Sequence, residues 1–443
     1  MTSQEGILVL GLGVSGKAAA ELLCSEGRKV TVVDAACSEN LQREANALRN
    51  LGVEVRLGED QQFGDFELCI VSPGIAFDSA WIRELRSRGV RVISELEFGW
   101  ARCAAKTLAV TGSNGKSTCV KLCHDALTLA GITSVMAGNC GLPFSAVAAS
   151  GTSVDWILAE VSSFQLETVD QFRPDVGILL NILPNHLDRH GDMDAYTRLK
   201  SRLFRRMTEH DVGIVGADWL DVVRRESHGR CRWVSIGGEG PDACRFRDHE
   251  LVWGENRCVD VRGTPFDNAV LGTAAAAAAV AVEACGAGAQ CVAEATRGFE
   301  ALPHRLEPVA ARGGVAFVND SKATNIAALD AALRTIDGPV RLIAGGRLKE
   351  IDVTKPKKVL ASKVRAAYLI GEAMATLESE WRDVVLCRPC RTLDVAVEKA
   401  WLESEPGDTI LLSPACASFD QFQSFEERGN VFVKCISQLD EEV

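Results

Sequence analysis

The chain has 443 residues, a length that fits about three folded units at roughly 150 residues each. Lys and Arg number 48 against 60 Asp and Glu, a formal charge of −12, which excludes a basic face wide enough to neutralise a nucleic-acid backbone. Hydrophobic residues at 47% and charged residues at 24% exclude a disordered chain and are the proportions expected of a soluble globular protein.

The start, Met1 to Leu10, reads MTSQEGILVL, with no basic segment, long apolar run or small-residue cleavage site, so no export signal is expected and the chain reads as cytoplasmic. The sixteen cysteines are scattered, mostly within apolar runs, as in a reduced chain rather than a disulfide scaffold. Cys387 and Cys390 form a CxxC with no second pair to complete a zinc site.

Short β-rich runs alternate with Ala/Leu-rich helical stretches, which predicts α/β folding with parallel sheets and helical crossovers. The runs are Ile7 to Leu10, Val30 to Val33, Leu68 to Val71, Leu108 to Thr111, Trp156 to Glu160, Val176 to Leu180, Phe317 to Asn319, Leu342 to Ala344 and Ile410 to Ser413. A first break is expected near Ser94 and a second near Ala301 to Pro308, giving units 1–94, 95–301 and 302–443. Arg224 to Asp260 is polar and carries no clear pattern. Ala269 to Val282 is mostly alanine and falls short of the ~20 residues that span a bilayer, so it is expected to be a packed core helix, not a membrane segment.

Gly11-Leu12-Gly13-Val14-Ser15-Gly16 follows the first strand, opens a helix and precedes a second strand ending at Asp34. This is the GxGxxG arrangement, in which glycines admit a diphosphate to a helix N-terminus. On these residues alone the reading is a nicotinamide-dependent dehydrogenase, although the loop recognises a diphosphate and says nothing of a nicotinamide ring. Ser72-Pro73-Gly74 adds a turn at the same sheet edge.

Gly112-Ser113-Asn114-Gly115-Lys116-Ser117-Thr118 also lies between a strand and a helix. Backbone N–H groups in such a loop surround phosphate oxygens, the lysine offsets their charge, and a hydroxyl reaches Mg²⁺. Val110 stands where the full Walker pattern has its first glycine, so this is the shorter TGxxGKS form. Glu160 ends a strand expected beside this loop, and His186 sits with Asp188, Arg189 and His190 in another strand-end segment.

Six blocks then coincide in order and spacing: TGSNGKST (Thr111 to Thr118), EVSSFQLE (Glu160 to Glu167), NHLDRHG (Asn185 to Gly191), LPHRLE (Leu302 to Glu307), NDSKATN (Asn319 to Asn325) and SPACASFDQF (Ser413 to Phe422). On them the sequence resembles the Mur ligases, ATP-dependent amide-forming enzymes of peptidoglycan synthesis, most closely their D-glutamate-adding branch. The resemblance covers essentially the whole chain and replaces the dehydrogenase reading. It implies an N-terminal Rossmann-like domain for a UDP-substrate, a central P-loop ATPase-like domain and a C-terminal Rossmann-like domain for the incoming amino acid. The implied substrates are UDP-MurNAc-L-alanine, D-glutamate and ATP with Mg²⁺, in two ions. A monomer closing its domains over the substrates is expected.

By motif, the resemblance implies that Gly112, Ser113, Asn114, Gly115, Lys116, Ser117 and Thr118 hold ATP phosphates, joined by Asn268, Arg305 and Asp320, and that Lys322 approaches the nucleotide. Ser117, Glu160, His186 and Lys200, the last as a carbamate, would serve the metal; Lys116, His186, Lys200 and Lys322 would carry the catalysis. Val14, Ser15, Asp34, Gly74, Asn139, Ser162 and Gln165 would contact the UDP-substrate, and Thr324, Lys349, Ser418 and Phe425 the D-glutamate. Three departures stand out: Asp267-Asn268-Ala269-Val270-Leu271 replaces a more polar family motif, Asn185 an acidic residue, and Val353 a phenylalanine. Competing readings are a sister amino-acid ligase, the oxidoreductase, and a non-catalytic nucleotide-binding protein motivated by the altered 267–271 segment.

Overall fold

A computed structural model describes residues 6–58, 64–254, 257–348 and 352–439 of the chain. Among these residues the strands form three sheets, and the chain divides into two compact units. The first unit runs from the amino terminus to Ile182 with Arg189–Thr264 and Gly272–Arg297; the second comprises Leu183–Asp188, Pro265–Leu271 and the chain from Gly298 onward.

The first unit holds two sheets. β1 (Gly6–Leu10), β2 (Val30–Asp34), β3 (Glu54–Leu57), β4 (Phe66–Val71) and β5 (Arg91–Ser94) are all parallel, in the order β3-β2-β1-β4-β5. The order reverses between β1 and β4, the switch point where open parallel sheets bind ligands beyond their carboxyl ends. Val30-Thr31-Val32-Val33 shows why such runs become strands: branched side chains pack on both faces of a sheet covered by helices.

Ser94 ends β5 and caps the helix Glu95–Trp100, accepting from the Glu97 N–H. Two buried carboxylates on this helix reach the next sheet: Glu95 accepts from Ser145 N at 2.6 Å, and Glu97 accepts from the amides of Asp170, Gln171 and Phe172 at 2.7–3.1 Å. Taking three backbone donors satisfies an otherwise costly buried charge at Glu97.

The second sheet contains β6 (Lys106–Thr111), β7 (Ser134–Gly138), β8 (Trp156–Glu160), β9 (Val176–Leu179), β10 (Val212–Gly216), β11 (Arg232–Ile236), β12 (Ala243–Arg247), β13 (Glu250–Trp253) and β14 (Arg257–Asp260). Its order is β14-β13-β12-β11-β10-β9-β6-β8-β7, with β12, β13 and β14 antiparallel and the other pairs parallel. The unpatterned stretch Arg224 to Asp260 is therefore the end of one helix and four strands of only four or five residues, too short for an apolar alternation to stand out from the turns between them. The alanine-rich segment is the helix Ala269–Ala284, buried from Ala274 to Val282, as expected.

In the second unit, β15 (Glu307–Arg312), β16 (Val315–Asn319), β17 (Val340–Gly345), β18 (Val364–Ile370), β19 (Leu386–Arg391) and β20 (Thr409–Leu412) take the order β15-β16-β20-β17-β18-β19, parallel except β15. Cys387 and Cys390 lie on β19 and pack into cores on opposite faces of this sheet, so they cannot share one metal or one disulfide. No helix among the described residues is long and apolar enough to cross a membrane.

Candidate active site

The first glycine turn sits at the switch point of its sheet. Gly11 has φ +92°, and a Cβ on Gly16 would lie 1.9 Å from the Gly11 carbonyl oxygen, so both glycines are fixed by the turn itself. A Cβ on Gly13 or Gly74 would meet nothing, and Val14 is 77% exposed at the start of the helix Val14–Ser25. These open positions and the half-buried Ser15 surround free helix-terminal N–H groups, the arrangement that receives a diphosphate. Asp34 is turned inward: its carboxylate accepts from Leu12 N at 2.7 Å and Ala36 N at 2.8 Å, bracing the turn.

The second turn follows β6. Gly112 (φ +147°) and Gly115 (φ +83°) adopt backbone that disfavours side chains, and Gly115 leads into the helix Lys116–Leu129. Asn181, just past β9, holds the loop open: its Oδ1 accepts from Ser113 N at 3.1 Å and Asn114 N at 3.0 Å. Lys116 Nζ donates to the Gly112 and Ser113 carbonyls at 3.0 and 2.9 Å, while Asn114 Nδ2 is buried without a hydrogen-bond partner among the described residues. Thr118 is half-buried on the first turn of that helix.

Glu160 ends β8, beside β6 as expected. Ser117 Oγ donates to one of its oxygens and Asn139 Nδ2 to the other at 2.7 Å. Asn139 follows β7, so three adjacent strands deliver one hydroxyl, one carboxylate and one amide to one point. Ser162 and Gln165 instead satisfy each other in a capping box on the helix Ser163–Leu166, fixing both beside Glu160 in sequence and on the same sheet edge.

Lys200 is 1% exposed, with Nζ donating to Gly112 O at 2.9 Å and Thr111 Oγ1 at 3.3 Å and lying 4.7 Å from the centre of the Tyr196 ring. Burial drives its ammonium well below the ordinary lysine range, and the charge of Lys116 pushes the same way. Ser117, Glu160 and Lys200 thus converge on the phosphate loop. His186, with φ +55°, belongs to the other unit.

In the second unit Asp320, Lys322 and Thr324 follow β16 and Ser418 follows β20, neighbouring parallel strands whose carboxyl ends share one edge, while Arg305 precedes β15 and Phe425 opens the helix Phe425–Ser437. Asp320 is buried, accepting from Ser413 Oγ at 2.9 Å and Leu306 N at 3.2 Å, and its burial raises the carboxyl to about 7. Lys322 Nζ lies 3.7 Å from the centre of the Phe425 ring. Thr324 and Arg305 are half-buried and Ser418 is buried, whereas Lys349 lies outside the described residues. Asn268 Oδ1 accepts from Val270 N and Leu271 N at 3.1 and 2.9 Å, so its side chain caps the alanine-rich helix.

Two structural residues escaped sequence reasoning. Asn181 carried a usable signal, its place just past a strand adjacent to β6. Arg428 carried none: fully buried, it donates to Ser321 Oγ, Ser321 O and Cys416 O at 2.8–3.1 Å, tying the loop after β16 to the loop after β20.

Two glycine turns, each opening a helix at the carboxyl ends of parallel strands in its own sheet, define an α/β protein with two turns of the phosphate-binding type. The Mur ligase middle domain matches residues 110–280, the Mur ligase glutamate ligase domain residues 304–416, and the MurD-like N-terminal domain residues 5–94. The UDP-N-acetylmuramoylalanine–D-glutamate ligase of Koribacter versatilis is 36% identical, with 98% of each chain covered, and that of Geobacillus kaustophilus is 36% identical over 98% of this chain and 97% of its own. The chain belongs to the Mur ligase family. Its fold is also that of UDP-N-acetylmuramate-alanine ligase MurC from Thermotoga maritima, with TM-score 0.62 at 15% identity over 98% of this chain and 99% of that one.

Proposed function

We propose that the chain joins D-glutamate to UDP-N-acetylmuramoyl-L-alanine, converting ATP to ADP and phosphate, in peptidoglycan precursor synthesis. The observation that carries this reading is end-to-end identity of 35–37% with ligases of that name. The phosphate loop with Lys116 and the Ser117–Glu160–Asn139 cluster supplies the chemical groups the reaction needs.

A carboxylate is a poor electrophile at neutral pH. Transfer of the terminal phosphoryl of ATP to the alanyl carboxylate gives an acyl phosphate; the D-glutamate amine attacks its carbonyl carbon, and the tetrahedral intermediate expels phosphate. The loop amides, Asn114 and Lys116 bind the phosphates and offset charge that grows during transfer, while the fixed strands hold the reacting groups in line. Asn268, Arg305, Asp320 and Lys322 serve the nucleotide. Val14, Ser15, Asp34 and Gly74 serve the uridine diphosphate, with Asn139, Ser162 and Gln165 toward the muramoyl-alanyl end. Thr324, Lys349, Ser418 and Phe425 take the D-glutamate.

The donor set fits Mg²⁺: a hydroxyl and a carboxylate, both hard oxygen ligands, meet beside the loop. Ser117 and Glu160 would hold one ion, His186 is a metal residue by motif, and Lys200 as a carbamate would support a second ion; bound metal supplies charge neutralisation at the transferred phosphoryl. A buried lysine amine whose neutral form is favoured is the form that adds CO₂, and the resulting carbamate replaces a cation with an oxygen donor. An assay of ADP release with UDP-MurNAc-L-alanine and D-glutamate, L-lysine or diaminopimelate side by side tests the reading. Turnover with D-glutamate alone is expected; turnover with either diamino acid instead would move the chain to a sister activity.

A further inference from the structure

The proposed substrate turn and the phosphate loop lie on different sheets of the first unit, and one dipeptide touches the structures supporting both. Arg189 grips the Gly74 turn from either side, donating to Pro73 O at 3.2 Å and Ile75 O at 2.9 Å, and pairs with Glu167 through Nε at 2.9 Å and Nη2 at 2.5 Å. Glu167 closes the short helix that begins beside Ser162. His190, 4% exposed at its side chain, lies against the same carboxylate, its Nδ1 3.7 Å from Glu167 Oε1. Its Nε2 shares a hydrogen bond with Ser163 Oγ at 3.0 Å, and its ring stacks on Tyr196 at 5.3 Å and 23°. The Tyr196 hydroxyl meets Ser113 Oγ in the phosphate loop at 3.3 Å. Every link is a buried or half-buried polar contact or a ring stack between close-packed groups, so displacement at one end alters geometry at the other.

We propose that Arg189 and His190 are positioning residues that couple occupancy of the UDP-substrate turn to the conformation of the ATP loop. This rests on the functional reading above for the identity of the two ligands. His190 touches no reacting atom; it acts through Ser163 and Tyr196.

The test is calorimetric binding of UDP-MurNAc-L-alanine to the full chain with and without a non-hydrolysable ATP analogue and Mg²⁺. In the wild type the analogue is expected to change substrate affinity by about fivefold or more, within the usual range of coupling between sites. His190→Phe keeps a ring against Tyr196 but loses the bond to Ser163; it is expected to bind each ligand alone nearly normally while the coupling falls to within about twofold of none. His190→Gln, which retains a hydrogen-bonding group toward Ser163, is expected to recover part of it, a rescue that a purely structural role does not predict. Should His190→Phe fail to fold, Ser163→Ala removes the same bond from the other side and is expected to give the same loss. Two ligands that bind the wild type without mutual effect, or coupling unchanged in these variants, would overturn the inference alone. A wild type that binds no UDP-MurNAc-L-alanine would overturn the functional reading and the coupling with it.

Discussion

The Cα of Gly16, which bears no side chain, packs so closely on Gly11 that an added Cβ would sit 1.9 Å from the Gly11 carbonyl oxygen, while the same atom on Gly13 would meet nothing within 4 Å. One glycine of the turn serves packing and the other leaves room. Gly16→Ala is therefore expected to destabilise the fold by about 3 kcal/mol, the upper end for overpacking. Gly13→Ala is expected to leave the melting temperature nearly unchanged and to weaken UDP-substrate binding by about tenfold or more. Thermal unfolding together with titration of the substrate separates the two; equal stability losses in both variants would contradict this division.

Lys116 Nζ donates to two carbonyls of its own loop, which places its charge at the proposed phosphate site. Lys116→Ala is expected to lower ATP turnover by about 100-fold or more, as for loss of other groups aimed at developing charge. UDP-substrate binding is expected to persist, because the first glycine turn is built on a different sheet. Loss of both would show that the two sites are not separable.

Lys200 is buried between the phosphate loop and Tyr196, and that burial shifts its amine well below the ordinary lysine range. Lys200→Ala is expected to lose most activity, and added formate or acetate to restore part of it by placing a carboxylate where the carbamate stood. Wild-type turnover by Lys200→Ala would exclude the carbamate.

Asp320 provides a pH test of stability. Its carboxyl is raised to about 7 by burial, above the usual value near 4 in an unfolded chain, so the folded state holds the proton more tightly. The stabilisation is complete below the unfolded value and is lost as pH rises through about 7. Asp320→Asn cannot ionise, so its melting temperature relative to wild type is expected to rise between pH 5 and pH 8. A difference that does not move with pH would show that Asp320 is ionised throughout.

The glycine turns, their flanking strands and helices and the alanine-rich helix were legible because their causes are local: a backbone turn that needs glycine, a period of side chains, a phosphate loop of fixed spacing. Arg224 to Asp260 was not legible, because its strands are only four or five residues long, too short for a period of two to stand out from the turns between them. The same limit applied to roles. Asp34 reads in sequence as a ligand-facing acid, and the fold adds a second task that sequence did not show: it accepts from Leu12 N and steadies the turn. Ser117, Asn139 and Glu160 stand far apart in the chain and meet only because β6, β7 and β8 end on one edge of one sheet. The burial of Lys200, and the path from Arg189 through His190 and Tyr196 to Ser113, likewise exist only after packing. Local spacing thus settled where the glycine turns and their flanking strands and helices fall, and strand order with close packing settled which side chains touch, since desolvation and contact are properties of neighbours that the chain does not make adjacent.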